Sequence, residues 1–206
     1  MEEKIWRIGI MGGTFDPIHY GHLVLAETVR DDFGLDRIIF LPSGDPPHKK
    51  HEPVTPAASR LEMVRLAVEG NPGFEVSPME VERKGYSYTY DTMKAMNALY
   101  PDNHQFFFIT GADAILEILA WKEVDRLSGL CSFIAATRPG TEIGKLSAFL
   151  DSLPESLRSR IHLTQVPALE ISSTGIRKRI RENKSITYLL PPAVEEYIRK
   201  EGLYRD

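Results

Sequence analysis

Two histidines stand three residues apart just after a short apolar run that reads as a buried strand. The segment reads Gly12-Gly13-Thr14-Phe15-Asp16-Pro17-Ile18-His19-Tyr20-Gly21-His22. At the start of a helix, residues three apart share a face, so His19 and His22 can both donate to one anion. Gly12 and Gly13 allow the backbone to approach a ligand closely. Because the free N–H groups and dipole of a helix start attract anions, the segment predicts a phosphate-binding loop.

Other nucleotide-binding and metal-binding patterns do not fit this segment. A dehydrogenase fingerprint needs G-x-G-x-x-G and an acidic residue after the second strand, and neither is present. The sequence contains no G-x-x-x-x-G-K-[ST] loop. A zinc site at His19 and His22 would need further ligands, and their spacing is not H-E-x-x-H. We therefore expect no redox cofactor and no metal held by the protein's own side chains.

A second segment with phosphate-binding chemistry lies about 150 residues later. It reads Ile171-Ser172-Ser173-Thr174-Gly175-Ile176-Arg177, with three N-cap residue types in front of a helix. An arginine three residues after Thr174 can point back toward a bound phosphate. By itself such a segment is more often an ordinary capped surface helix, and Lys178, Arg179 and Arg181 fit a solvated face.

Three further groups of residues follow predicted strands or precede a helix. Pro46-Pro47-His48-Lys49 lies in a proline-rich loop, where an exposed lysine is unremarkable. Tyr86-Ser87-Tyr88-Thr89-Tyr90-Asp91-Thr92 precedes a helix and is compatible with an ordinary helix start. Asp113 and Arg138 each follow a strand, and Trp121 follows an apolar stretch where packing is its commonest role.

The elements that must position these residues alternate between short apolar strands and helices. We expect strands near residues 5–11, 37–41, 74–81, 105–110, 131–137 and 161–164, and helices near 20–33, 56–69, 89–99, 143–157, 173–182 and 192–201. Thr55 is the expected N-cap of the second helix, with Pro56 at its first position. This alternation predicts an α/β fold, a Rossmann-like doubly wound parallel sheet with helices on both faces. We expect one domain over residues 1–206, with a small C-terminal helical part over roughly 171–206.

Bulk composition narrows the class of protein. The 206 residues carry a formal net charge of −4, which does not favour broad binding to nucleic acid. There is no run of about 18 apolar residues, so no membrane span is expected. Cys131 is the only cysteine, so a disulfide framework is excluded. These features predict a cytoplasmic protein with a small-molecule substrate. The sequence leaves the oligomeric state open, and a homodimer is compatible with it.

Together the two histidines and the distant serine-rich segment resemble the nucleotidyltransferase superfamily that carries an (H/T)-x-G-H signature. Within it, the whole chain looks most like the bacterial nicotinate mononucleotide adenylyltransferases, which share the ISSTxIR, PPHK and SYTxDT segments. The resemblance runs in order from Gly12 to Arg177. It implies transfer of AMP from ATP to nicotinate mononucleotide, giving nicotinate adenine dinucleotide and pyrophosphate in NAD biosynthesis, with Mg²⁺ accompanying ATP.

The same resemblance assigns roles to individual residues. His19, His22, Lys49 and Arg177 would act on the phosphates as catalytic residues. The ATP-binding residues would be Gly12, Gly13, Thr14, Phe15, Ser173, Thr174 and Arg138. On the acceptor side, Thr89 would read the nicotinate carboxylate, Trp121 would stack on the pyridine ring and Asp113 would contact a ribose. Asp16 is also expected at the substrate, where it could approach the metal ion.

Two alternatives remain open at this point. A related adenylyl- or cytidylyltransferase acting on another phosphate, such as phosphopantetheine, shares the histidine signature but leaves Thr89 and Trp121 unexplained. A non-catalytic dinucleotide-binding module could keep the fold while losing His22 or Arg177, and this chain keeps both.

Overall fold

The computed structural model of the chain describes residues 4–46, 53–100, 103–137, 142–167 and 169–205. Its strands are β1 (Trp6–Gly13), β2 (Arg37–Pro42), β3 (Phe74–Val76), β4 (His104–Gly111), β5 (Ser132–Thr137) and β6 (Ile161–Gln165). Its helices are α1 (Tyr20–Asp32), α2 (Ala57–Val68), α3 (Met79–Glu82), α4 (Thr89–Leu99), α5 (Ala112–Leu116), α6 (Val124–Leu127), α7 (Ile143–Asp151), α8 (Glu155–Arg158), α9 (Ser173–Arg181) and α10 (Pro192–Lys200). A short 3₁₀ turn covers Ile118–Ala120.

The six strands form one parallel sheet in the order β3-β2-β1-β4-β5-β6. In the pairing of β1 with β4, Trp6 lies opposite His104. In the pairing of β4 with β5, Phe107 lies opposite Ser132, and in that of β5 with β6, Phe133 lies opposite Ile161. Strand order reverses between β1 and β4, which is the point where ligands bind in doubly wound sheets. The Rossmann-like fold class predicted from the sequence is confirmed.

The chain divides into two compact units, each made of three separate stretches. The first unit holds residues 1–12, 25–39 and 88–168. It contains most of β1, the first half of β2, and β4, β5 and β6. Every residue of β5 is buried, and the buried centre of β4 is Phe106–Ile109, because both faces of a central parallel strand are covered.

The second unit holds residues 13–24, 40–87 and 169–206. It contains the end of β2, strand β3, the start of α1, and α2, α3, α9 and α10. Helices α2 and α10 pack against each other, and Val194 and Ile198 of α10 are buried at helical spacing. The single domain expected over residues 1–206 remains a prediction. The C-terminal helices α9 and α10 belong to this second unit.

Two local expectations are wrong. The N-cap of α2 is Pro56, with no capping side chain, so Thr55 does not cap the helix. The Thr55 carbonyl instead accepts a hydrogen bond from Arg60. The expected strand pair at 74–81 is one strand of three residues followed by helix α3, because Pro78 removes a ladder donor and is the N-cap of that helix. Among the helices of the described ranges, none is long and apolar enough to cross a bilayer.

Candidate active site

The first phosphate-binding segment leaves β1 at Gly13 and reaches α1 at Tyr20. Phe15 takes a left-handed backbone conformation with φ of 49° and buries its ring, which packs against Phe40. A Cβ at Gly13 would lie 2.9 Å from this ring, so the glycine makes room for Phe15. The Asp16–Pro17 peptide is cis. The segment is thus a compact turn anchored by an aromatic side chain.

His19 and His22 are brought together as the sequence predicts. Their rings stack with centroids 3.8 Å apart, and His19 is only 4% exposed while His22 is half-buried. The backbone N–H of His19 donates to Nδ1 of His22 at 3.2 Å. When Nδ1 accepts, a neutral imidazole carries its proton on Nε2. His22 therefore presents its Nε2 as a hydrogen-bond donor, which is what a phosphate oxygen needs.

The structure explains why residue 21 is a glycine, which the sequence alone did not reveal. A Cβ at this position would lie 3.0 Å from Cε1 and Nδ1 of the His19 ring, and 3.6 Å from the carbonyl of Ile171. The absence of a side chain at Gly21 therefore leaves space for the His19 ring. The glycine of the signature is thus needed to place the histidine two residues before it.

The second segment forms the start of α9 and joins the first segment directly. Ser172 is the N-cap, and its hydroxyl accepts from the backbone N–H of Gly175 at 3.1 Å. The hydroxyl of Ser173 donates to the Pro17 carbonyl at 2.9 Å. Arg177 donates through Nη1 to the Asp16 carbonyl at 2.7 Å and through Nη2 to Thr174 Oγ1 at 3.3 Å. Two segments about 150 residues apart in sequence therefore form one cradle.

Asp16 is placed differently from the expectation that its side chain meets the substrate. It is 3% exposed. Its Oδ1 accepts from the Tyr204 hydroxyl at 2.7 Å, and its Oδ2 accepts from the backbone N–H of Thr55 at 3.3 Å. Both carboxylate oxygens are engaged inside the protein, which points to support of the loop rather than to metal binding.

Two expected phosphate and adenine residues, Lys49 and Arg138, lie outside the described residues. The loop before Lys49 is described as far as Pro46. Two hydrogen bonds to Ser87 hold the part of this loop at residues 44 and 45. The backbone N–H of Ser87 donates to the Asp45 carbonyl at 3.0 Å, and the Gly44 N–H donates to Ser87 Oγ at 3.1 Å. Ser87 of the SYTYDT segment thus holds residues 44 and 45.

The expected acceptor residues lie in the first unit. Thr89 is the first residue of α4, as predicted, so it stands beside the helix's unpaired N–H groups. Lys122 forms an ion pair with Asp91 of the same helix at 2.8 Å and lies over the Tyr88 ring. Since Trp121 precedes Lys122, this ion pair joins the tryptophan's segment to the start of α4.

Trp121 is half-buried, with its ring edge-on to Phe108 and Phe133 at centroid distances of 5.8 and 6.2 Å. Asp113 is exposed in the first turn of α5, directly after β4. Gly12, at the end of the neighbouring strand β1, faces the Phe108 ring, which would lie 3.1 Å from an added Cβ. These positions match the expected end of the sheet, and the ligand roles remain predictions.

Two residues of the second unit were missed by the sequence reasoning. Arg60 is 1% exposed and donates to three backbone carbonyls, and Tyr204 donates to Asp16. A signal for Arg60 was available, since it lies four residues before Val64 and eight before Val68 on the inward row of α2. A cation in an otherwise apolar row indicates a buried polar partner. Tyr204 offered no such pattern.

Comparison with known proteins agrees with these features. Residues 10–179 match the family model described as Cytidylyltransferase-like. A probable nicotinate-nucleotide adenylyltransferase of Moorella thermoacetica is 60% identical over 199 residues, covering 97% of this chain and 92% of the relative. One of the same description from a Thermoanaerobacter species is 51% identical over 203 residues, covering 98% of this chain and 96% of the relative.

A similar solved structure is that of Plasmodium falciparum nicotinic acid mononucleotide adenylyltransferase complexed with NaAD. It has a TM-score of 0.78 at 24% identity and covers 97% of both chains, which supports the fold alone. The level of identity to the bacterial relatives decides the family. The chain belongs to the cytidylyltransferase-like family and, within it, to the nicotinate-nucleotide adenylyltransferases.

Proposed function

We propose that the protein transfers AMP from ATP to nicotinate mononucleotide and releases nicotinate adenine dinucleotide and pyrophosphate. The observation that carries this proposal is the cradle in the second unit, where Arg177 and Ser173 of α9 are hydrogen bonded to residues 16 and 17, just before the His19–His22 pair. Such an arrangement offers donors from two sides to a polyphosphate. The names of the bacterial relatives support the choice of acceptor.

The reaction is a single in-line displacement at the α-phosphorus of ATP. The nucleophile is the phosphate of the mononucleotide, which is largely ionised at neutral pH because its second pKa is about 6. The phosphate oxygen forms a bond to the α-phosphorus while the bond to the bridging oxygen of pyrophosphate breaks. No general base is needed, because the attacking oxygen carries no proton. Catalysis consists of positioning and charge stabilisation.

The positive potential comes from side chains and helix starts. His22 donates through Nε2, His19 lies against it, and Arg177 faces the leaving pyrophosphate. The N-termini of α1 and α9 add backbone N–H groups and dipoles of the same sign. Ser173 and Thr174 add hydroxyls, and the backbone of residues 12–15 lines the nucleotide. The role assigned to Lys49 is that of a compact cation for the phosphates.

Mg²⁺ enters as part of the MgATP substrate. A magnesium ion bound to phosphates keeps several waters and needs few protein ligands. The Asp16 carboxylate is occupied by Tyr204 and Thr55, so it is assigned to support of the loop rather than to the ion. In this proposal the protein's own donors bind the phosphates, and the ion belongs to the substrate.

The acceptor is held in the first unit. The nicotinate carboxylate meets the N-terminus of α4 and the Thr89 hydroxyl, where charge and dipole are complementary. Trp121 stacks on the pyridine ring and Asp113 contacts a ribose, and the role assigned to Arg138 is recognition of the adenine. A cytoplasmic location and a homodimer, which the sequence admits, belong to the same proposal. Sedimentation of the purified protein tests the dimer.

The experiment is pyrophosphate release from ATP and Mg²⁺ with a panel of phosphate acceptors. The panel contains nicotinate mononucleotide, nicotinamide mononucleotide and phosphopantetheine, with CTP and a phosphoalcohol as a separate arm. We expect fast turnover with nicotinate mononucleotide, product confirmed as the dinucleotide by mass, and loss of turnover in His22→Ala. Adenylylation of phosphopantetheine without dinucleotide formation would reject nicotinate mononucleotide as the acceptor. If no acceptor supports turnover, the protein would instead be a non-catalytic dinucleotide-binding module.

A further inference from the structure

Arg60 is buried beneath the first phosphate-binding segment and ties three stretches of backbone together. Its guanidinium donates through Nε to the Thr55 carbonyl at 2.8 Å, through Nη1 to the Thr14 carbonyl at 2.7 Å, and through Nη2 to the Gly44 carbonyl at 3.1 Å. The planar fork of arginine can hold three acceptors in fixed directions, which a lysine cannot. One side chain thus sets where residues 14, 44 and 55 lie.

Arg60 is linked to Asp16 through the backbone of Thr55. The Thr55 carbonyl accepts from Arg60 Nε at 2.8 Å, and the Thr55 N–H donates to Asp16 Oδ2 at 3.3 Å. Burial lowers the pKa of the Arg60 guanidinium, and the Asp16 carboxylate is the largest influence raising it again. Hydrogen bonds through Thr55 and opposite charges therefore connect the two residues.

Tyr204, four residues after the end of α10, is hydrogen bonded to the same aspartate. Its hydroxyl donates to Asp16 Oδ1 at 2.7 Å, while the Thr55 N–H donates to Oδ2. Burial and the Asp16 carboxylate together keep the pKa of Tyr204 far above its ordinary value, so the phenol is a donor at any working pH. The Asp16 side chain is thereby fixed at both oxygens.

The backbone carbonyl of Asp16 connects these supporting residues to Arg177 of the phosphate site. The Asp16 carbonyl accepts the Nη1 hydrogen bond of Arg177 at 2.7 Å. Asp16 is thus held at its carboxylate by Tyr204 and Thr55, and it holds Arg177 with its carbonyl. A shift of its side chain rotates the peptide that orients the Arg177 guanidinium.

We propose that Tyr204 and Arg60 are positioning residues for the phosphate site, acting through Asp16 on the guanidinium of Arg177 and on the loop at Thr14. Neither residue touches the reacting atoms. This inference rests on the proposed function, since Arg177 is assigned there to the leaving pyrophosphate. It extends the site to two residues that lie outside the GGTFDPIHYGH, PPHK, SYTYDT and ISSTGIR segments.

The test is Tyr204→Phe, which removes one hydroxyl and little volume. We expect kcat/KM for ATP to fall about tenfold, the factor implied by one lost hydrogen bond to a charged group. The matched control is Tyr197→Phe, because Tyr197 lies in α10 and its hydroxyl has no hydrogen-bond partner among the described residues. It should stay within about twofold of wild type. Thermal unfolding of both variants shows whether they are folded.

A double-mutant cycle with Arg177→Lys separates positioning from a purely structural role. If Tyr204 acts through Asp16 on Arg177, then Tyr204→Phe should cost less than about twofold in the Arg177→Lys background. If the hydroxyl is purely structural, its loss lowers the unfolding temperature. It then lowers kcat/KM by the same factor in the wild-type and Arg177→Lys backgrounds. That additive result, or wild-type kcat/KM in Tyr204→Phe, would overturn the inference.

Two further variants keep the test decisive. Asp16→Asn keeps an oxygen acceptor for Tyr204 but places an NH2 group, which cannot accept, opposite the Thr55 N–H. This variant should show the same coupling to Arg177→Lys if Tyr204→Phe does not fold. Arg60→Lys keeps the charge but loses the fork, so we expect lower kcat/KM for ATP than in Tyr204→Phe. Wild-type activity in Arg60→Lys would remove Arg60 from the proposal. Dinucleotide formation by the wild-type protein is measured in the same assays, so failure of the proposed function would be seen separately.

Discussion

Replacing Gly21 by alanine should separate stability from activity. Gly21 is the second residue of α1, where alanine is favoured over glycine by up to about 1 kcal/mol. Its Cβ would lie 3.0 Å from two atoms of the His19 ring, whereas carbon atoms prefer contacts of about 3.5–4.0 Å. The His19 ring must therefore move by a few tenths of an ångström from the position in which it stacks on His22.

A displacement of about 1 Å in a catalytic group costs about 10²-fold in rate. On this scale a movement of about 0.3–0.5 Å corresponds to about 4- to 10-fold. We therefore expect kcat/KM of Gly21→Ala to fall by about this factor while the protein remains folded. The assay is pyrophosphate release at saturating acceptor, with thermal unfolding followed by circular dichroism on the same samples. The unfolding temperature should change little, because the helix gain and the ring displacement oppose each other.

Gly144→Ala is the matched control for this experiment. Gly144 is the second residue of α7, and among the described residues no atom beyond its chain neighbours and its own helix backbone would lie within 4 Å of an added Cβ. It should raise the unfolding temperature by up to about 2–4 °C through helix propensity and leave kcat/KM unchanged. If Gly21→Ala behaved like Gly144→Ala in both measurements, the glycine would not be needed to seat His19, and the reasoning would fail.

Three further predictions concern the charge-stabilising residues, the acceptor and the lone cysteine. His22→Ala should lower kcat by about 10²–10³, the usual effect of removing one donor aimed at transition-state charge, and a folded variant within threefold of wild type would contradict this. Wild-type kcat/KM should favour nicotinate over nicotinamide mononucleotide by at least about 10²-fold, because a carboxylate pairs with the N-terminus of α4 and an amide does not; comparable values would end the acid-specific assignment. Burial raises the pKa of Cys131 to about 12, so at pH 8 a thiol reagent should label the protein only after denaturation, and rapid labelling of the folded protein would show the thiol to be accessible.

The sequence predicted the fold well because its strands are central and parallel. Runs such as Gln105–Thr110 and Cys131–Thr137 are apolar on both faces, which only a covered parallel sheet explains. Helix α4 begins and ends where expected because its first turn follows the extended Tyr88 and it stops just before Pro101. The errors at Thr55 and at residues 77–81 lie in segments where prolines, not periodicity, set the local structure.

The site was less predictable than the fold, for a physical reason. His19, His22, Ser173 and Arg177 carry a recognisable residue type and spacing, so their neighbourhood could be inferred. The supporting hydrogen bonds run to backbone carbonyls of Thr14 and Asp16, and a carbonyl has no signature in sequence. For the same reason Asp16 was expected at the substrate, since nothing in the chain shows that a tyrosine 188 positions later donates to it.

The interleaving of the two units constrains how such a protein can change over evolution. The chain passes between the units five times, at residues 12–13, 24–25, 39–40, 87–88 and 168–169. A single recombination breakpoint therefore cannot exchange the unit that carries Thr89 and Trp121 while keeping the unit that carries His19 and Arg177. Acceptor preference in this architecture is expected to diverge by point substitution within the gene rather than by the shuffling of modules.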